Sequence, residues 1–222
     1  MKIIDLTYHI AENMPMYPGT DAPTLHVVHN HNEHGFMETY IGMYSHTGTH
    51  IDAPAHLYPN GFTLDKYTIE QFVGKALVID CSKLKTGEKI SMQLLEEKGS
   101  ALYEIDFILF YTGHSKLWGN PEYFSSFPTI SCEVIEWINH HKLKGVGIDA
   151  PSFDRVAINE FEQTTDELYT HRAILKTNRT ILLENLCNLE KVGNEIFTLC
   201  ALPLKTLNAD GAPARVIAIT NH

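Results

Sequence analysis

The amino-acid sequence predicts one domain of mixed α and β structure. Its 222 residues are enough to bury a sizeable core without disulfides or a structural metal. Hydrophobic residues make up 44% of the chain and charged residues 20%, which excludes an intrinsically disordered protein. Short runs rich in β-branched residues recur along the chain, with fewer helical patterns between them. We therefore expect a single domain over residues 1–222 in which strands outnumber helices.

Each predicted strand is a short apolar run, and most are bounded by Gly, Pro, Asn or Asp. The runs at 76–80 and 105–111 are almost continuously apolar, which is typical of strands covered on both faces. The predicted strands span residues 2–7, 25–29, 38–44, 76–81, 105–111, 145–149, 180–184, 195–199 and 215–220.

Helical patterns are fewer. Residues 91–99 open with a serine that suits an N-cap and end at a glycine. Residues 131–141 repeat apolar side chains at helical spacing. Residues 164–176 open with Thr164 and Glu167 at the spacing of a capping box. We expect these segments to form helices between the strands.

Charge and composition limit the class of protein. The net charge of −10 disfavours binding to nucleic acid or to an anionic membrane. The chain has neither a signal-peptide pattern nor an apolar run long enough to span a membrane, so we expect a cytoplasmic protein. The 4 cysteines are far apart and form no CxxC pair, which indicates free thiols. The 13 histidines are a large supply of potential metal ligands.

Potential ligands are concentrated in one short segment. His46, Gly48, His50 and Asp52 alternate along the chain, and alternate residues of a strand point to the same side. Gly48 has no side chain and leaves room for an ion between the two imidazoles. Two histidines and an aspartate match the ligand chemistry of Zn²⁺ or Mn²⁺. We expect this stretch to form a strand that carries a metal site, with His56 at its rim.

The segment from His46 to His56 matches the pattern HxGTHxDxPxH. By this motif the chain resembles the cyclase family of metal-dependent hydrolases, which includes bacterial kynurenine formamidases and isatin hydrolases. The resemblance covers nearly the whole chain. Further similar stretches are residues 5–7, 14–19, 112–118, 147–152, 202–205 and 211–215.

The resemblance implies a swivelling β/β/α fold and a metal-dependent hydrolase. It implies that His46, His50 and Asp52 bind one ion. It also implies that Asp52 bridges to a second ion, held in addition by His171 and Glu184. A homodimer or larger homo-oligomer is expected on the same ground.

The resemblance further implies that His56 is the catalytic residue and that Tyr17 lies beside the substrate. The formamidases carry a tryptophan at the position of Tyr17, and a tyrosine ring can also stack on an aromatic substrate. The histidines at 26, 29, 31 and 34 match no requirement of the family. We interpret this run as exposed or hydrogen-bonded, with a weak additional metal site as the alternative.

The expected function is hydrolysis of a small amide, formamide or lactam by metal-activated water. The cofactor is expected to be Zn²⁺ or Mn²⁺, with one or two ions per chain. A cyclase or dehydratase of the same family is one alternative. A non-catalytic protein that binds a metal or a small molecule is another.

Overall fold

Strands supply most of the regular structure in residues 1–156 and 168–220, the part of the chain that the computed structural model describes. The helices are α1 (His31–His34), α2 (Met92–Glu96), α3 (Cys132–His141) and α4 (Tyr169–Leu175). The strands are β1 (Lys2–Asp5), β2 (Thr24–His29), β3 (Glu38–Gly42), β4 (His50–Asp52), β5 (Val73–Asp80), β6 (Lys89–Ile90), β7 (Phe107–Tyr111), β8 (Thr129–Ile130), β9 (Gly145–Ile148), β10 (Ile181–Glu184), β11 (Phe197–Pro203) and β12 (Gly211–Thr220).

The main sheet closes on itself. Within the described residues it has 8 strands in the order β1-β12-β11-β5-β7-β9-β10-β4, and β4 also pairs with β12. This extra pairing closes all strands of the sheet except β1 into a barrel, and β1 lies alongside the far end of β12. The mixed α/β, single-domain architecture that the sequence predicts is confirmed.

Four strands of the barrel are buried on both faces. β5, β7, β9 and β10 run parallel to one another. Their alternate side chains fall into two separate apolar cores, for example Leu109 on the barrel side and Ile108 on the side of α3 and α4. Covered parallel strands read as continuous apolar runs, so the prediction made from residues 76–80 and 105–111 is confirmed.

Each predicted strand overlaps an observed one, and the predicted helices at 91–99 and 131–141 correspond to α2 and α3. Ser131 accepts a hydrogen bond from the Val134 N–H, as an N-cap does. Ser91 precedes α2 but makes no such bond, so the predicted side-chain cap there is wrong. Thr164 and Glu167 lie outside the described residues. In the described part of the chain, no helix is long and apolar enough to cross a membrane.

The expectation of an extended strand from His46 to Asp52 is wrong. Only His50–Asp52 form a strand, and Gly48 adopts a left-handed conformation with φ of 63°. The chain therefore turns at Gly48, a conformation that glycine adopts without a steric penalty. A turn, and not strand alternation, brings His46 next to the side chains of β4.

β2 and β3 form a separate antiparallel hairpin, connected through α1. His26 pairs with Tyr40, and His29 pairs with Glu38, so these side chains share one face. His29 Nδ1 lies 2.9 Å from Glu38 Oε2, and His26 is exposed. Among the described residues, the groups that could hold an ion lie elsewhere, so the alternative of an additional site in this histidine run gains no support. The opposite face carries Leu25, Val27, Thr39 and Ile41.

Candidate metal centre and active site

The candidate site lies where β4 is inserted between β10 and β12. Pairing with β10 sets Glu184 opposite His50 and Leu182 opposite Asp52. Pairing with the start of β12 sets Gly211 opposite Asp52. β4 is 3 residues long and buried throughout, so the strands on either side fix its polar side chains.

His46, His50 and Asp52 form the first cluster. Asp52 Oδ1 lies 2.6 Å from His46 Nδ1 and 3.1 Å from His50 Nε2. His50 Nδ1 donates to the Gly48 carbonyl oxygen at 2.8 Å, which leaves Nε2 to face Asp52. One ligand atom of each residue lies within 4.8 Å of the others. This donor set suits a divalent transition metal.

Asp52, His171 and Glu184 form the second cluster, and all three are buried. The second oxygen of Asp52, Oδ2, lies 3.4 Å from His171 Nε2. The same nitrogen lies 3.0 Å from Glu184 Oε1, while Glu184 Oε2 lies 3.5 Å from His50 Nε2. Asp52 thus stands between the clusters with one oxygen toward each, as the family resemblance implies for a bridging ligand.

Asp154 binds the ring nitrogen of His171 that faces away from Asp52. His171 Nδ1 donates to Asp154 Oδ2 at 2.7 Å, and the backbone N–H groups of Thr170 and His171 donate to the same carboxylate. Glu184 Oε1 in turn accepts the Phe153 N–H at 3.0 Å. A carboxylate behind a metal-binding histidine fixes the orientation and tautomer of the ring. Sequence reasoning missed Asp154, although it lies in the segment following the GIDAPS stretch.

Asn185, which sequence reasoning also missed, fixes the turn of the first cluster. Its side-chain N–H donates at 3.0 Å to the Gly48 carbonyl, the same oxygen that accepts from His50. Asn185 Oδ1 accepts the Tyr123 hydroxyl at 2.7 Å. These buried bonds tie the metal-binding turn to the end of β10, because Asn185 directly follows Glu184.

The histidines and carboxylates of the two clusters shift one another's pKa. Burial alone would lower the pKa of His46, but Asp52 and Asp210 outweigh it and raise that pKa to about 9. Burial likewise opposes the charge of His171, yet Glu184 and the other carboxylates hold its pKa well above the usual range. Burial would raise the pKa of Asp52, but the histidines hold it well below its usual value. Metal binding to either ring would therefore compete with protonation of that ring.

His56 lies at the rim of the first cluster, at the end of the short 3-10 helix Pro54–His56. Its ring centroid is 4.1 Å from that of His46. Its Nδ1 is 3.7 Å from Asp210 Oδ2. Burial lowers the pKa of His56, which favours the neutral ring near pH 7. The location agrees with the expected rim position, and the catalytic role of His56 stays a prediction.

A cavity of about 330 Å³ opens over both clusters. This volume lies at the lower end of the range of small-molecule sites. Its wall is aromatic, with Tyr17, Tyr44, Trp118 and Phe124. The ring of Tyr17 packs edge-on against that of Phe124, with 6.5 Å between the ring centroids. The Trp118 ring stacks on the Tyr8 ring, with 3.8 Å between their centroids. Among the described residues, neither lysine nor arginine lines this cavity.

The chain is similar to known proteins over nearly its whole length. The Cyclase family model matches residues 4–155. The kynurenine formamidase of Geobacillus thermodenitrificans is 31% identical over 214 residues, covering 96% of this chain and 94% of that protein. The solved isatin hydrolase A from Labrenzia aggregata, bound to benzyl benzoate, has a TM-score of 0.82 at 26% identity, covering 98% of this chain and 93% of its own. A potential metal-dependent hydrolase with cyclase activity has a TM-score of 0.74 at 27% identity, covering 98% of each chain.

Proposed function

This chain belongs to the Cyclase family, and we propose that it is a metal-dependent hydrolase of a small aromatic amide, formamide or lactam. Relatives named as kynurenine formamidase and isatin hydrolase support hydrolysis as the reaction. The observation that carries the proposal is the position of Asp52 between two clusters. One oxygen lies 2.6 Å from His46 Nδ1 and the other lies 3.4 Å from His171 Nε2. A carboxylate placed in this way suits a bridge between two ions.

In this proposal, His46, His50 and Asp52 hold one Zn²⁺ or Mn²⁺ ion, and Asp52, His171 and Glu184 hold a second. Imidazole and carboxylate ligands suit both metals. When bound, such an ion lowers the pKa of a coordinated water and polarises a carbonyl group. His50, Asp52, His171 and Glu184 are buried, which shields these side chains from bulk water.

His56 is the proposed proton carrier. As the oxygen of the attacking water bonds to the carbonyl carbon, His56 takes the proton that the water loses. It then gives this proton to the leaving nitrogen as the C–N bond breaks, so that an acid and an amine result. A ring that is neutral near pH 7 suits both steps, because it can accept a proton and release it again.

The cavity wall supports an aromatic substrate. Tyr17, Trp118 and Phe124 offer ring faces and edges against which a flat substrate would pack. We propose that Tyr17 contacts the substrate ring at the mouth of the cavity.

The test is a substrate panel with protein stripped by chelator and reloaded with Zn²⁺ or Mn²⁺. Formanilide, isatin and phenyl acetate are incubated with each form, and acid release is followed with a pH indicator. We expect acid from formanilide or isatin with the loaded protein only. A fully loaded protein that releases no acid from the panel would contradict the proposal. Binding of a panel compound without turnover would instead indicate a non-catalytic protein.

We also propose that the protein acts in the cytoplasm as a homodimer. The exposed apolar side of the β2–β3 hairpin supports self-association, because Val27 is 45% exposed and Ile41 is 56% exposed. Light scattering of the purified chain measures the mass directly. A monomer at micromolar concentration would contradict the homodimer.

A further inference from the structure

Asp210 lies between the first cluster and the proposed proton carrier. Its Oδ2 is 3.0 Å from His46 Nε2 and 3.7 Å from His56 Nδ1. Ser45 Oγ donates to the same oxygen at 3.4 Å. The carboxylate therefore contacts the nitrogen of His46 that faces away from Asp52, and it also faces the ring of His56.

The backbone around Asp210 is shaped to hold His46. The Asp210 carbonyl accepts the Ala53 N–H at 2.9 Å, which continues the pairing between β4 and β12. At the next residue, a Cβ on Gly211 would lie 2.5 Å from His46 Cε1 and 2.8 Å from the Ile51 carbonyl oxygen. Because such contacts are too close for any side chain, only glycine lets the imidazole lie against this strand.

We propose that Asp210 is a positioning residue for both histidines, an inference that rests on the proposed hydrolase. By accepting the Nε2–H of His46, it leaves Nδ1 as the nitrogen that ligates the first ion. Metal-binding histidines commonly donate their second N–H to a carboxylate in this way. By facing Nδ1 of His56, it turns the other nitrogen, Nε2, toward the cavity.

A role limited to stability fits the geometry less well. The Asp210 side chain is 46% exposed, and exposed ion pairs contribute little to stability. Its contacts are instead with a proposed ligand and the proposed acid–base residue. We therefore expect substitution to change metal affinity and turnover while leaving the melting temperature of the metal-stripped protein nearly unchanged.

The test compares Asp210→Asn with Asp210→Glu and with the control Asp80→Asn, which makes the same change at an exposed carboxylate bonded to Ser82. Zn²⁺ affinity is measured by competition with a chelator. We expect Asp210→Asn to weaken Zn²⁺ binding by about 10- to 100-fold, the range for partners behind a metal ligand. Asp210→Glu should recover part of this loss, and Asp80→Asn should match the wild type.

The contact with His56 is tested separately. We expect Asp210→Asn to lower kcat with little change in KM, and this loss should shrink when His56 is already changed to Gln. A crystal structure of Zn²⁺-loaded Asp210→Asn should show the His56 ring displaced. An equal kcat loss in the His56→Gln background would overturn this half of the proposal, and so would an unmoved ring.

Two outcomes would overturn the role at His46. One is Zn²⁺ affinity within twofold of the wild type in Asp210→Asn. The other is the loss of a whole ion per chain with the remaining affinity unchanged, because Asp210 would then be a ligand, together with His46 and His56. Zn²⁺ affinity and the His56 position need no substrate. They therefore decide the role of Asp210 even if the substrate panel contradicts the hydrolase.

Discussion

The Gly48 carbonyl oxygen lies 2.8 Å from His50 Nδ1 and accepts its hydrogen. This bond fixes the tautomer of His50, so that the lone pair of Nε2 points toward Asp52 and Glu184. The ring therefore reaches both clusters, and its loss affects both. The turn at Gly48 thus determines which ring nitrogen of His50 is available to bind an ion.

The first prediction concerns His50→Ala. This change removes a ligand of the first cluster, and we expect bound metal to fall by at least one ion per chain and acid release to be abolished. Metal is measured by elemental analysis after dialysis. His26→Ala, an exposed histidine on the hairpin, is the matched control and should keep full metal content. Unchanged metal in His50→Ala would show that the first cluster is not the binding site.

His56→Ala should separate proton transfer from metal binding. The ring lies beside the first cluster without belonging to it, so we expect full metal content. Turnover should fall by about 10²- to 10⁴-fold, the usual contribution of a general acid–base residue. The measurement is kcat on the best substrate of the panel. Near-normal turnover would rule out the proposed role.

Glu184→Gln tests the second ion. The glutamine keeps an oxygen for the Phe153 N–H but loses the negative charge that faces His171. We expect the wild type to bind two Zn²⁺ ions per chain and this variant to bind one. Calorimetric titration counts the ions, with the exposed Glu190→Gln as control. Equal stoichiometry in Glu184→Gln and the wild type would contradict a second site at this position.

Metal affinity should rise with pH. Neighbouring carboxylates raise the pKa of His46 from 6.5 to about 9, and a metal binds only the neutral ring. Between these values each displaced proton makes the apparent affinity about tenfold stronger per pH unit. His171 contributes in the same direction, since its pKa is also raised. Chelator competition at several pH values measures the slope, and a flat profile would mean that no proton is displaced.

The raised pKa of His46 also predicts that the stabilities of the metal-stripped and the Zn²⁺-loaded protein change in opposite directions as the pH rises. A raised histidine pKa stabilises the folded, metal-stripped protein fully below pH 6.5, and this contribution is lost as the pH rises through about 9. Bound metal stabilises more as its affinity grows. The difference in Tm between Zn²⁺-loaded and stripped protein should therefore widen from pH 6.5 to pH 9. A Tm difference that stays constant across this pH range would contradict the displacement of a proton by the metal.

The sequence motif correctly predicts which side chains come together, but not the backbone conformation that brings them together. His46, His50 and Asp52 do come together, but through a left-handed turn at Gly48 in place of a continuous strand. A glycine in a short polar segment fits either conformation, and the hydrogen bond from Asn185 to its carbonyl supports the turn. That bond comes from a distant part of the chain, so local spacing could not reveal it.

Asp154 and Asp210 escape prediction from the sequence for the same reason. Asp154 reaches His171 by capping α4, and Asp210 reaches His46 through the pairing of β12 with β4. Both contacts depend on which strands and helices become neighbours, and strand order is not contained in any single segment. The family resemblance implies His171 and Glu184 as ligands, but their proximity to Asp52 depends on the same long-range pairing.

The sharing of Asp52 between the clusters limits how such a site can change over evolutionary time. In the proposed two-ion site, a lineage can lose the second ion by replacing His171 or Glu184 and keep the first cluster intact. Replacement of Asp52 removes a ligand from both clusters in a single step. Descendants that need only one ion are therefore expected to differ at the two outer positions while retaining this aspartate.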